Sequence, residues 1–258
     1  MTSERYTHGH HESVLRSHTW RTVENSAAYL AEYFVPGVSV LDVGCGPGTI
    51  TADIAARGAT VIGIDAAADV VAKARELGVD ARVGDAYALD FADDTFDVVH
   101  SHQTLQHLAR PVEALREMRR VLKPGRVLGV RDVDYAGTII HPSTPGLELW
   151  ASLYQLVHRS NGGEPNAGRR LKQWALEAGF ENVTATATLW TFTEDADREW
   201  WGGMWADRVL QSAFATDALS KNLGTQPELE LISAAWSEWA ATPAGFMAMP
   251  HGEVLAVK

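Results

Sequence analysis

Apolar residues in the first half of the chain fall in short unbroken runs, separated by stretches patterned at helical spacing. Residues 38–43 (VSVLDV) carry a single acid among apolar neighbours, which suits a strand buried on both faces. Residues 48–57 then predict a helix that Gly58 stops, and ATVIGID predicts a second buried strand ending at Asp65. AAADVVAKAREL sets Val70, Val71, Ala74 and Leu77 on one side of a helix, with Gly78 as its stop signal. VDARVGD and TFDVVHS predict third and fourth strands. From Pro111 to Leu122 one stripe carries Val112, Leu115, Met118 and Leu122; the KPG at 123–125 ends that helix, and RVLGVRD is the fifth strand. Strands alternating with helices imply crossover connections and therefore an α/β, doubly wound, mostly parallel sheet.

The second half changes character. Residues 145–160 predict a helix with Trp150, Tyr154 and His158 on one face. GGEPNAGRRLKQWALEAGF opens with turn residues, becomes a helix and stops at Gly179. VTATATLWTF alternates like a strand, residues 194–242 are helical again, and GEVLAVK is placed to return a strand to the sheet. That late helical stretch holds Trp200, Trp201, Trp205, Trp236 and Trp239, five of nine tryptophans. They either build a core between helices or wall a pocket for a flat or cationic ligand, because helices inserted before the last strand stand over the ligand edge of the sheet. No repeat or long linker divides the chain, so 1–258 is expected to be one domain. It would comprise an N-terminal lid and helix (1–35), a cofactor-binding core (36–135), and a substrate-side half (136–258) capped at about 194–242.

Charge narrows the choice of partner. The 258 residues carry 22 basic against 33 acidic side chains, a net charge of −11. Such a surface repels nucleic acid and anionic membranes unless a basic patch reverses the field. The clusters Arg116, Arg119, Arg120 and Arg169, Arg170, Lys172 lie in helical patterns and read as solvated faces. Cys45 is the single cysteine, so no intrachain disulfide forms. MTSERYTHGHHESVLRSH lacks the apolar core of a signal peptide, and no apolar run approaches membrane-span length. A cytoplasmic protein acting on a small molecule is the expectation; an N-terminal arm leaves a homodimer open.

In a doubly wound sheet, ligands bind beyond the carboxyl ends of the strands. After the first strand comes Gly44-Cys45-Gly46-Pro47-Gly48, a turn that lets backbone approach a ligand closely or else serves tight packing. After the second comes Asp65, able to accept both hydroxyls of a ribose or to cap a helix. After the third, Gly84-Asp85-Ala86 offers a carboxylate to an exocyclic amine. A dinucleotide fingerprint would place its third glycine where this chain has Thr49, which weakens an NAD-dependent oxidoreductase. The turn, Asp65 and Asp85 at three successive strand ends are together much harder to obtain by chance than any one of them alone.

The run VLDVGCGPGT, then IGID, then GDA, and VEALREMRRVLKPGRVLGV around the fifth strand resemble class I S-adenosylmethionine-dependent methyltransferases. The nearest likeness is to the group related to ubiquinone and menaquinone biosynthesis, apart from Arg126 where a second glycine is commoner. The resemblance covers roughly residues 20–135 and implies a seven-stranded sheet with S-adenosyl-L-methionine as cofactor. It further implies Gly44, Cys45, Gly46 and Gly48 against the methionine and ribose, with Asp42 orienting that loop or the bound amino group. Asp65 with Ala66 would hold the ribose, Asp85 with Ala86 the adenine, and Ser101, His102 and Gln103 the methionine end.

Methyl transfer from a sulfonium is a direct in-line displacement, so alignment dominates and a base is needed only for a protonated acceptor. His100, His102 and His107 follow the fourth strand; His102 is best placed as a base and His107 is expected to face the sheet as a structural group. The histidine-rich N-terminus, with His8, His10 and His11, lacks a recognised metal-ligand spacing. A lid of Tyr6, His8, His11, His18 and Arg21 over the site is the expected use, with Tyr6 and His18 as further catalytic candidates; a mobile polar tail is the competing one. Arg131, Asp132, Asp134 and Tyr135 follow the fifth strand on the substrate side, where Arg131 and Asp132 either pair with each other or meet substrate. Tyr154, His158 and Trp201 complete the substrate candidates. HSHQ stands where nucleobase methyltransferases carry an Asn/Asp-Pro-Pro-aromatic motif. A protein that binds the cofactor without transferring its methyl remains the alternative from another class.

Overall fold

The computed structural model describes residues 20–258. After a one-turn helix α1 (Val23–Ser26), capped by the Thr22 side chain, the first strand β1 (Ser39–Val43) enters the centre of the molecule. Its apolar run is buried on both faces, as continuous hydrophobicity requires. The glycine turn leads directly into α2 (Thr49–Ala56), and the chain returns through β2 (Thr60–Asp65), α3 (Ala68–Glu76) and β3 (Asp80–Val83). In α3 the buried residues are Val70, Val71 and Ala74, the side chosen by their spacing. β4 (Phe96–His102) then pairs with the other edge of β1.

Helix α4 (Pro111–Val121) starts on a proline at its first turn and buries Ala114, Leu115, Met118 and Val121. Removing Leu115 and Met118 from water is worth roughly 2–3 kcal/mol each. The helix ends one residue earlier than its stripe suggests, because Leu122 turns extended and pairs with Phe96. KPG thus lies at the start of β5 (Leu122–Val133), whose register against β4 shifts between Phe96 and Val98.

Short strand β6 (Ile139–His141) precedes α5 (Pro145–Ser160) and α6 (Leu171–Glu177). Strand β7 (Asn182–Phe192) follows, then helices α7 (Asp195–Gln211), α8 (Ala213–Ser220) and α9 (Gln226–Ala241), and finally β8 (Phe246–Val257). The sheet runs β3-β2-β1-β4-β5-β8-β6, with β7 also on β8. The ladders among the first five strands are parallel, while β8 is antiparallel to β5, β6 and β7. The sheet therefore has eight strands rather than seven. β8 is long enough to outrun β5: Val127–Val133 pair with His251–Val257, and the uncovered Phe246–Ala248 segment pairs with Ile139–His141.

Two cores result. One packs α4 and α6 against the parallel strands through Leu115, Met118, Leu171 and Trp174. The other is aromatic and joins α5, α7 and α9 to the β7–β8 end through Trp150, Trp205, Trp236, Phe192 and Met247.

Candidate functional site

Beyond the ends of the first four strands lies a cavity of about 380 Å³. Gly44, Cys45 and Gly46 form its floor after β1; Asp65 and Ala66 line it after β2, Asp85 and Ala86 after β3, and His102 and Gln103 at the end of β4. Since the strands run β3-β2-β1-β4 in space, the wall passes from Asp85 through Asp65 and the glycine turn to His102.

Hydrogen bonds hold the turn to its neighbours. The amides of Gly44 and Cys45 both donate to the Ile64 carbonyl, at 2.7 and 2.9 Å. The Gly46 amide donates to Asp65 Oδ2 at 3.1 Å, and the Ala67 amide to Oδ1 at 3.0 Å. Asp65 thus shapes the loop and the start of α3 at once. A carboxylate has about four acceptor positions, so these bonds are compatible with holding ribose hydroxyls. Gly44 has φ +77°, and a Cβ there would stand 2.0 Å from Thr104 Oγ1. Gly48, with φ +84°, lies outside the cavity wall; its missing Cβ makes room for Ala74 of α3 at 2.8 Å, so its use is helix packing.

Asp42 borders the cavity but its carboxylate is turned to the fold. Thr51 donates to Oδ2 at 2.6 Å and His100 Nδ1 to Oδ1 at 2.8 Å, tying α2 and β4 to β1. Ser101 is fully buried outside the wall and donates to the Val43 carbonyl at 2.8 Å. Asp85 Oδ1 accepts from the Tyr87 amide at 2.8 Å, which shapes the loop after β3.

The β4 end of the cavity is the chemically unusual one. His102 is only 4 % exposed, and neither ring nitrogen finds a partner among the described residues. Burial, reinforced by the cations Arg21 and Arg131, holds its pKa well below the usual imidazole value, so it is neutral at physiological pH. Gln103, at φ +51°, accepts from Arg21 Nη2 at 2.8 Å and contacts His251 Nε2 at 2.8 Å. His107 also lines the cavity, with its ring stacked 5.0 Å from His158, rather than serving the sheet alone.

The expected substrate residues divide. Arg21 lines the cavity. Arg131 pairs with Glu253 at 3.1 Å and not with Asp132, because adjacent residues of a strand point to opposite faces while cross-strand partners share one. Burial lowers the Arg131 pKa to about 10. Asp132 is fully buried, accepts from the Gln106 amide at 3.2 Å and has its pKa pushed up to about 8 by desolvation. Asp134 pairs with Arg169 at 2.5 Å. Tyr135 packs 4.0 Å from Tyr154, whose hydroxyl meets His158 Nδ1 at 3.1 Å; His158 Nε2 donates to the Gln106 carbonyl at 2.8 Å. Trp201 stacks 4.2 Å from Phe192 in the aromatic core. Tyr135, Tyr154, His158 and Trp201 are all outside the cavity wall. Tyr6, His8, His10, His11 and His18 lie outside the described residues.

Thr104 lines the cavity and His251 contacts its wall through Gln103, and neither was picked out by pattern. His251 sits just ahead of the run GEVLAVK, and the real strand begins five residues earlier, at Phe246. Among the described residues, no group of three or more His, Cys, Asp or Glu is disposed to share a metal ion, and no helix is long and apolar enough to cross a membrane.

Residues 41–129 match the family model described as a methyltransferase domain. An uncharacterized methyltransferase of Schizosaccharomyces pombe is 32 % identical over 98 % of this chain and 96 % of its own length. A demethylmenaquinone methyltransferase of Renibacterium salmoninarum is 41 % identical over 58 % of this chain and 69 % of its own. Among solved structures, phosphoethanolamine N-methyltransferase 2 of Haemonchus contortus, with phosphomonomethylethanolamine and S-adenosylhomocysteine bound, superposes with a TM-score of 0.55. That match has 18 % identity and covers 91 % of this chain and 52 % of that one, a likeness of fold. The strand-end carboxylates and the left-handed glycine turn stand together in one cavity wall, an arrangement compatible with S-adenosyl-L-methionine. The chain belongs to the S-adenosyl-L-methionine-dependent methyltransferases.

Proposed function

We propose that this enzyme transfers the methyl group of S-adenosyl-L-methionine to a small-molecule acceptor by direct in-line displacement, with His102 as the base. The observation that carries this reading is His102 itself: a neutral, buried imidazole in the cavity wall, with both nitrogens unpartnered among the described residues. A buried polar group left without a hydrogen bond is costly, and a functional site is where such a cost is tolerated.

The bound cofactor supplies an electrophilic methyl, which needs no further activation. The chain's own residues then align the partners and handle the proton. Asp85 and Ala86 would take the adenine, Asp65 the ribose hydroxyls, and Gly44, Cys45 and Gly46 the methionine portion. Their order along the wall directs the methyl toward the β4 end, where a ring nitrogen of His102 would accept the acceptor's proton. Residues 36–135 would act as the cofactor half and 136–258 as the acceptor half, with α7–α9 as a cap. A net charge of −11 supports a small cytoplasmic acceptor over nucleic acid or a membrane surface.

The test is release of S-adenosylhomocysteine across a panel of hydroxyl, amine and thiol acceptors. The expected result is turnover with at least one class, falling about 10²–10⁴-fold in His102→Asn while S-adenosylhomocysteine binding is retained. Binding without release across the whole panel would replace this reading with a non-transferring scaffold.

A further inference from the structure

His251 lies on β8, across the sheet from the glycine turn, and is fully buried. Its hydrogen bonds leave a single consistent proton assignment. Nδ1 is 3.1 Å from the Met249 carbonyl oxygen, which can only accept, so Nδ1 carries the hydrogen. Nε2 of the neutral ring is then an acceptor, and the group 2.8 Å away must donate to it: the Gln103 amide nitrogen. That choice turns Gln103 Oε1 toward Arg21 Nη2, also at 2.8 Å. Reversing the amide would set its NH₂ against the guanidinium, donor against donor, and its oxygen against a ring lone pair. Both bonds would be lost together.

We infer that His251 is a positioning residue for the cofactor site: its tautomer fixes the orientation of the Gln103 amide, and through it the place of Arg21 in the cavity wall. Three features of the geometry converge on this. Gln103 is held in the left-handed region at φ +51°, with its amide nitrogen donating to the Arg131 carbonyl at 2.7 Å, so its side chain leaves a rigid backbone in one direction. The His251 ring is fixed by Trp190, 4.3 Å away, and lies nearly parallel to His102 at 6.2 Å. Gln103 and Arg21 both line the cavity, whereas His251 does not and acts through them. The chain Met249–His251–Gln103–Arg21 therefore connects the last strand to residue 21, the first charged residue described.

This inference rests on the cavity being the cofactor site, and the experiment separates the two. Affinity for S-adenosylhomocysteine is measured by calorimetry in wild type, His251→Leu, His251→Gln, Gln103→Leu and the His251→Leu/Gln103→Leu pair. His251→Leu removes the acceptor and is expected to weaken binding about tenfold, or 1.4 kcal/mol. His251→Gln restores an acceptor at the Nε2 position and is expected to stay within about threefold of wild type. In the Gln103→Leu background His251→Leu should have no further effect, the mark of action through Gln103. A purely structural role gives additive losses, with no rescue by glutamine, and overturns the inference. Failure of the wild-type protein to bind S-adenosylhomocysteine would overturn the cofactor assignment, and this inference with it. If His251→Leu does not fold, the ring ¹⁵N resonances of the wild-type protein decide: an Nδ1–H tautomer is required, and an Nε2–H tautomer contradicts the assignment.

Discussion

A buried imidazole without hydrogen-bond partners titrates in a way that distinguishes it from a solvated one. The pKa of His102 is depressed by burial first and by Arg21 and Arg131 next, so its base form persists below the range where an exposed histidine is half protonated. The acid limb of kcat/KM is accordingly expected below pH 6.5, and a limb at or above 6.5 would assign the base elsewhere. The same sign applies to stability. His158 falls from 6.5 to about 4, chiefly through burial, so the unfolded chain binds the proton first. Its contribution is complete above pH 6.5 and is lost as pH falls toward 4, to the extent of roughly 3 kcal/mol. Asp132 has the opposite sign: with its carboxyl raised to about 8, ionisation destabilises the fold as pH rises from 4 to 8. Asp132→Asn should therefore raise the thermal midpoint at pH 8.5 and change it little at pH 4. At this scale the place of Asp65, Asp85 and His102 in the cavity wall was legible because strand ends select few positions. Asp42 and Ser101 are strand residues too, but their side chains are consumed by Thr51, His100 and the Val43 carbonyl, which no local pattern reveals.

Among the elements, the turn between β1 and α2 makes a strict demand on sequence. Gly44→Ala combines an αL backbone with a Cβ 2.0 Å from Thr104 Oγ1, so it should both lower the melting temperature and weaken S-adenosylhomocysteine binding by at least about tenfold. Gly78→Ala is the control. Its φ is +79° but nothing lies within 4 Å, so a cost of about 1 kcal/mol in stability with unchanged binding is expected. Helix and strand identities followed from periodicity through both halves, including α5 at Pro145–Ser160. β6 was not legible: three residues carry no period, and they pair only because β8 extends past β5.

At the scale of the whole molecule, the late helices share a core with the sheet. Trp150 stands edge-on to Trp205 and Trp236, each at 4.9 Å, and the same core includes Val133 of β5 and Met247 and Met249 of β8. Trp150→Ala should cost about 3–5 kcal/mol. It should shift one cooperative unfolding transition rather than split off a separate cap transition, as read by comparing near- and far-ultraviolet circular dichroism. Sequence left the tryptophans between core and pocket wall. The structure places Trp201, Trp205, Trp236 and Trp239 in the core, because aromatic pairs across three helices bury one another in a way that one-dimensional spacing does not encode. Family membership was legible before the fold, since three strand ends and the segment around the fifth strand carry specific motifs.

The assignment of the cavity to the methyl donor is tested most directly by calorimetric titration of S-adenosylhomocysteine into wild-type protein and Asp65→Ala. Saturable one-site binding is expected in the wild type, with about a hundredfold loss in the variant, because charged hydrogen bonds to the ribose would disappear. Equal affinity of the two proteins, or binding of NAD in place of S-adenosylhomocysteine, would contradict it.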